Sequence, residues 1–214
     1  ATAPNIQVGT PAQKKEIAAL EQKIASHGKA IEKRRAKLQE GQSAWEAKRL
    51  KQDSVSTWET LRPVAARAKN QTLHLQEDRS VVAKGKLPDQ DEYFLQAAVP
   101  TSSFRHVRLE ALQHASLPSG GLSRVKGGNF VLTDIKLILE DIDQESREVK
   151  LIGARATFNQ GGLDVKQAID DNKGSGWGVW SGPKGVKQPH TAIFTLAEPL
   201  KPGPDARVVF QLKF

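Results

Sequence analysis

The chain of 214 residues contains no cysteine and no methionine. Lack of cysteine removes disulfides, thiolate nucleophiles, thiolate-ligated zinc and covalently attached c-type haem. The five histidines, at 27, 74, 106, 114 and 190, include no pair spaced i, i+3 or i, i+4. No helix face therefore offers two imidazoles to a transition metal. No apolar run approaches the ~18 residues of a membrane span, and the charged-then-apolar pattern of a signal peptide is missing. Neither a Gly-x-Ser-x-Gly elbow nor a phosphate-binding Gly-Lys-Ser/Thr loop occurs. The neighbouring carboxylates Asp89/Asp91 and Asp170/Asp171 lie too close in sequence to flank a glycosidic bond from opposite sides. These absences predict a protein that is not an enzyme and carries no cofactor, with calcium as the one metal left open. The start at Ala1 and the missing methionine suggest a processed product or a piece of a longer chain.

What the chain does have is uneven charge. The net charge is +8, and residues 1–52 carry 11 Lys/Arg against 5 Glu, while the rest carries 21 against 19. The basic character thus belongs to the N-terminal segment. After a proline-bounded start, large apolar residues recur every seven positions at Ile17, Ile24, Ile31, Leu38 and Trp45, a helical stripe. The positions three residues on are Leu20, His27, Arg34, Gly41 and Lys48, so only Leu20 completes the two-position seam of a coiled coil. A helix from Ala12 to Gln52 would be about 60 Å long. Gly28 and Gly41 each weaken it by about 1 kcal/mol relative to alanine, and a break near Glu40–Ser43 would give a helical hairpin instead. The run Lys33-Arg34-Arg35-Ala36-Lys37 reads as a solvated face; without interleaved aromatic residues it is a poor nucleic-acid surface.

From Trp58 the pattern changes to short strand-like runs separated by Gly, Pro, Asp and Asn, the pattern of an antiparallel β-sandwich or barrel. The predicted strands are Thr72–Leu75, Val81–Ala83, Tyr93–Ala98, His106–Ala111, Phe130–Leu139, Val149–Phe158, Ala192–Leu196 and Val208–Phe214. The domain division is residues 1–56, a helical or coiled-coil segment, and 57–214, a β-sandwich. The charged stretch 141–150 is either a hairpin loop or a boundary between two small sandwiches. Loops 113–128 and 170–189, rich in Gly, Pro and Ser, are expected at an end of the sandwich.

Three groups could carry chemistry. Asp170, Asp171 and Asn172 supply side-chain oxygens that calcium would accept, or Asp170 merely caps a turn. Trp177 is either a ligand platform or a core residue. Trp180, in a glycine-flanked segment, could stack on the apolar face of a sugar ring, with partial burial as the alternative. His190 follows as a further ligand candidate. Arg124 with Gly127, Gly128 and Asn129 could form an anion-binding fork beside freely approachable backbone, or a tight turn into the next strand.

Several motifs occur in an order similar to one found in large exported planctomycetal proteins. They are Trp58-Glu59-Thr60-Leu61-Arg62-Pro63, Glu77-Asp78-Arg79-Ser80, Val107-Arg108-Leu109-Glu110-Ala111-Leu112, Gly128-Asn129-Phe130-Val131-Leu132-Thr133 and Ala154-Arg155-Ala156-Thr157-Phe158-Asn159-Gln160. Ala168-Ile169-Asp170, Gly176-Trp177 and His190-Thr191-Ala192-Ile193-Phe194 complete the series. The segment resembled lies among domains of unknown function that accompany a planctomycete-type cytochrome c domain, and the likeness spans residues 57–214. Two loops depart from it: Gly121-Leu122-Ser123-Arg124 stands for Gly-Pro-Gly-Arg, and Asp170-Asp171 for Asp-Gly. The resemblance implies a mainly β protein with a jelly-roll, galactose-binding-like or discoidin-like sandwich, placed in the periplasm or at the cell surface. It implies no activity. The expectation is a binding or assembly module with a protein partner through the N-terminal helix and a glycan as the ligand considered, or else a structural subunit of a larger complex.

Overall fold

A computed structural model describes residues 9–53, 58–141, 145–182, 186 and 188–214, the side chains of 47–53 and 119 excepted. The chain divides into two compact units, one ending at Glu59 and the other running from Thr60 to Phe214.

Among the described residues the first unit holds one helix, α1 (Pro11–Asp53). Its start is written in the sequence. Pro11 takes the first helical position, where no backbone donor is needed. The Thr10 hydroxyl accepts a hydrogen bond from the Gln13 N–H at 3.3 Å, and the Gln13 side chain accepts one from the Thr10 N–H at 2.9 Å. This reciprocal pair is a capping box. The hairpin break considered at Glu40–Ser43 does not occur. One lone glycine costs too little to end a helix whose neighbours hold the turn: Ser43 donates to the Gln39 carbonyl at 3.1 Å and Gln42 to the Glu46 carboxylate at 2.7 Å.

The second unit is mainly β and antiparallel throughout. One sheet has five strands: β1 (Pro63–Ala68), β4 (Glu92–Ala98), β12 (Arg207–Lys213), β7 (Asp134–Glu140) and β8 (Arg147–Val149), in that spatial order. The other has three: β5 (Phe104–Ala111), β11 (His190–Leu200) and β9 (Leu151–Ala156). A hairpin of β2 (Thr72–Leu75) and β3 (Val81–Lys84), and a short pair of β6 (Val131–Leu132) with β10 (Trp177–Gly178), flank the two sheets. Period-two alternation decides what is buried. Along β7, Ile135, Leu137 and Leu139 are buried and the residues between them are not. Opposite them in register on β12 stand Leu212, Phe210 and Val208. On the smaller sheet Ala192, Phe194 and Leu196 are fully buried.

Residues from both sheets belong to one apolar cluster. The stretch 141–150 joins β7 to β8, and Leu137, Ile138 and Leu139 pair with Val149, Glu148 and Arg147. At Lys150 the chain leaves the five-stranded sheet and enters the three-stranded one as β9. Residues on both sides of 142–144, which lie outside the described residues, belong to one compact unit.

Candidate functional site

Of the residues singled out in the sequence, Asn129 and the Trp177–Trp180 segment meet where three loops come together, while Arg124, Asp170–Asn172 and His190 are engaged elsewhere. Asn129 sits just before β6, and its side-chain oxygen accepts the Val179 N–H at 3.1 Å. Gln160 bridges on the other side: its side-chain oxygen accepts the Trp180 N–H at 3.1 Å and lies 3.5 Å from the Asn129 amide nitrogen. Its backbone N–H bonds the Gly178 carbonyl at 2.9 Å. Gln160 thus ties the loop after β9 to both β6 and β10, since a side-chain amide offers donors and acceptors together. In the sequence it stood only as the end of the Ala154–Gln160 motif and before Gly161-Gly162, too little to mark it as a site residue.

Trp177 is a core residue. It is fully buried, its ring meets Phe130 edge to face at 5.3 Å, and its indole N–H donates to the Phe158 carbonyl at 2.8 Å. It presents no surface to a ligand, which corrects its place among the ligand candidates. Trp180 has a different fate. It is half-buried, and its ring lies against Gly127, where a Cβ would come within 2.7 Å of a ring carbon. Glycine at 127 is therefore a packing requirement of Trp180.

His190, at the start of β11, is buried and stacks on Phe158 with ring centroids 5.2 Å apart. One ring nitrogen, Nδ1, lies 3.5 Å from the Thr157 hydroxyl; Nε2 is buried with no hydrogen-bond partner. Burial holds its pKa below the usual value, because desolvation penalises the imidazolium. The ring is enclosed by the fold and is not presented as a ligand contact.

Arg124 is spent on architecture. Its guanidinium donates to the Gln71 side chain at 2.6 Å and to the Lys86 and Gly85 carbonyls at 2.5 Å. Three acceptors fill most of the fork, which pins the open end of the β2–β3 hairpin to the loop before β6. The anion-binding role considered for Arg124 gives way to this clamp. Asp170 is likewise engaged: it accepts the Asn172 N–H at 2.9 Å and the Ser175 hydroxyl at 2.9 Å. Asn172 in turn accepts the Gly174 N–H at 3.0 Å. These are side-chain turns, with Asp171 left-handed at φ 59° between them. The Asp170 and Asn172 oxygens considered for calcium close this loop on itself, and among the described residues no three His, Asp or Glu side chains converge as a metal site.

Two further features were not anticipated. At the tip of the β2–β3 hairpin an open cavity of about 350 Å³ is lined by Arg62, Pro63, Leu75, Gln76, Glu77 and Arg79. Arg79 adopts a left-handed φ of 71° and donates to the Thr60 carbonyl at 2.6 Å. At the start of β4, Asp91 and Glu92 are both buried. Glu92 is held ionised by an ion pair with Lys69 and a hydrogen bond from Gln211, which together keep its pKa below the ordinary carboxylate value. Asp91 accepts the Asn70 and Glu92 N–H groups through one oxygen, while the other has no partner.

Comparison with protein-family models, curated proteins and solved structures finds no match to this chain. Function is therefore argued from the geometry above and from the helix.

Proposed function

We propose that the chain is a non-catalytic binding and assembly module of an exported protein, attached to a protein partner through its N-terminal helix. The observation that carries this reading is the apolar stripe of α1. Ile17, Leu20, Ile24, Ile31 and Leu38 are all more than half exposed, on a helix with little else to bury. Most helical stability in proteins comes from packing an apolar face, so a stripe repeated over four heptads is expected to find a surface.

The sandwich supports the same reading. Among its polar side chains, Asn129, Gln160 and Arg124 are bonded to neighbouring segments and Asp170 to its own turn. Of the features described above, the exposed part of Trp180 and the cavity at the hairpin tip are open to a ligand. A glycan is the ligand proposed for this surface, because a flat ring beside polar loop edges suits a sugar's apolar face. The extracytoplasmic placement is proposed on the motif resemblance alone. Purely structural service as a subunit of a larger exported complex is the second reading, and the same stripe favours it.

Native mass spectrometry of the protein from its source distinguishes these from a self-sufficient monomer. A complex that dissociates in the I24S/I31S/L38S triple variant is expected, and a monomer of unchanged hydrodynamics would remove both readings. A glycan array with and without calcium tests the sugar; silence in both conditions leaves only the structural role.

A further inference from the structure

The charges beside the stripe narrow the partner. With Ile17, Ile24, Ile31 and Leu38 as one seam position, the second seam position and the flanking positions hold Lys23, His27, Arg34, Arg35 and Lys37 through the middle of the helix. No acid occurs on these flanks from Lys23 to Lys37; Glu32 and Glu40 lie on the far side, and the two flanking acids, Glu16 and Glu21, lie in the first turns. Arg35 meets Glu32 across one turn at 3.7 Å, with both side chains more than 70% exposed. An exposed pair at that distance leaves the guanidinium available.

A second copy of the helix fits this pattern badly side by side and parallel, and in the two antiparallel registers that pair Glu16 or Glu21 with a cation of the far half. Side by side and parallel, heptad geometry sets Glu16 against Glu21 of the other copy and places His27 and Arg34 against themselves across the seam. Antiparallel, a register that pairs Glu16 with Lys37 sets Lys14 against Arg35. Shifting by one heptad to pair Glu21 with Arg35 sets Lys23 against Lys37. Each gain is cancelled by a like-charge contact of similar size. A membrane surface is a poor match for another reason: one large apolar residue per two turns gives a line, whereas interfacial helices bury a broad face.

We infer that α1 docks, along its Ile17–Leu38 seam, an amphipathic helix of a different protein whose seam is flanked by Asp and Glu opposite His27, Arg34, Arg35 and Lys37. This rests on the assembly reading and names the partner's chemistry. An apolar residue every seven positions on the partner completes the narrow seam, and its acids turn the buried-edge cations into ion pairs.

The test uses the full chain and two synthetic helical peptides. Both carry Ile or Leu every seven residues; one has Glu and the other Lys at the flanking positions. Fluorescence anisotropy is expected to show the Glu peptide binding about tenfold tighter than the Lys peptide, the sum of a few exposed helix ion pairs, with the advantage fading in high salt. The R34E/R35E/K37E variant, checked for helicity by circular dichroism, should reverse the preference, and I24S/I31S should abolish binding of either peptide. Equal affinity for both peptides overturns the proposal. So does self-association in sedimentation that I24S/I31S removes while neither peptide binds, or capture by phosphatidylserine vesicles in preference to the Glu peptide. If the native complex dissolves in the seam variant yet the peptides bind alike, the assembly reading stands and the acidic partner falls; a native complex indifferent to the seam removes the assembly reading itself.

Discussion

Replacing Trp177 separates a core residue from a ligand platform most sharply. The side chain is wholly enclosed, touches Phe130 edge to face and donates its indole N–H to the Phe158 carbonyl. Trp177→Ala leaves a large void in a closely packed site, and such truncations cost about 3–5 kcal/mol. In a domain the size of Thr60–Phe214 each kcal/mol lowers Tm by about 2–4 °C, so a fall of roughly 12 °C is expected. Trp177→Phe keeps a ring but orphans the Phe158 carbonyl, which costs about 1–3 kcal/mol. Trp180→Phe, whose ring is only partly enclosed, should shift Tm less. Differential scanning calorimetry following the sandwich transition gives the order W177A, W177F, W180F. A W177F protein that melts within a degree of the parent, but loses a ligand the parent binds, would refute the burial argument.

Further expectations concern charge and backbone. His190 is held below its usual pKa of 6.5 by burial, so the unfolded chain takes up the proton first; stability is full above about pH 6.5 and is lost as pH falls. His106, depressed by burial and by Arg155 and Arg105, acts in the same sense. Tm measured from pH 7.5 down to 5 should fall, and His190→Phe should flatten the slope; an unchanged slope contradicts the assignment. Lys69→Met leaves the buried Glu92 carboxylate with Gln211 and the charge of Lys213 and is expected to cost about 1–3 kcal/mol in urea unfolding. Adding Glu92→Gln should recover part of that loss. A methyl group added at Gly28 of α1 would meet nothing within 4 Å. Gly28→Ala should therefore stabilise the helix by about 1 kcal/mol, seen as stronger ellipticity at the helix band with the sandwich transition unmoved.

The fold was largely legible because burial imposes a period. The alternation Ile135, Leu137, Leu139 announces a strand with one face inward, and the structure uses it so. What escaped is where strands change partners. The apolar run 130–139 reads as one strand, yet Val131 and Leu132 pair with Gly178 and Trp177, while Asp134 onward pairs with β12. A similar run around Lys150 divides between the two sheets. Composition carries no mark of such a switch, because the side-chain pattern is the same whichever strand lies alongside. Strand β1 was missed for the opposite reason. Its Ala65, Ala66 and Ala68 favour helix, and pairing with β4 overrides that preference.

The site was less legible, since a sequence shows which side chains can hydrogen-bond and not whether their capacity is already used. Arg124 and Asp170 looked like ligand groups by type; the hairpin and the turn consume them. Nor does spacing separate the two tryptophans of loop 170–189: Gly176, Trp177, Gly178 and Val179 are buried in an unbroken run, and Trp180 after them is partly exposed. The helix is the complementary case. Its seven-residue repeat is visible at once, but its meaning comes from the positions beside it: Arg34 would repel its own copy in a parallel pair, and Arg34 and Arg35 attract an acidic neighbour. The same apolar line flanked by alternating charges would have specified a homodimer, so the choice of partner resides in those flanking residues and is open to reversal by changing three of them.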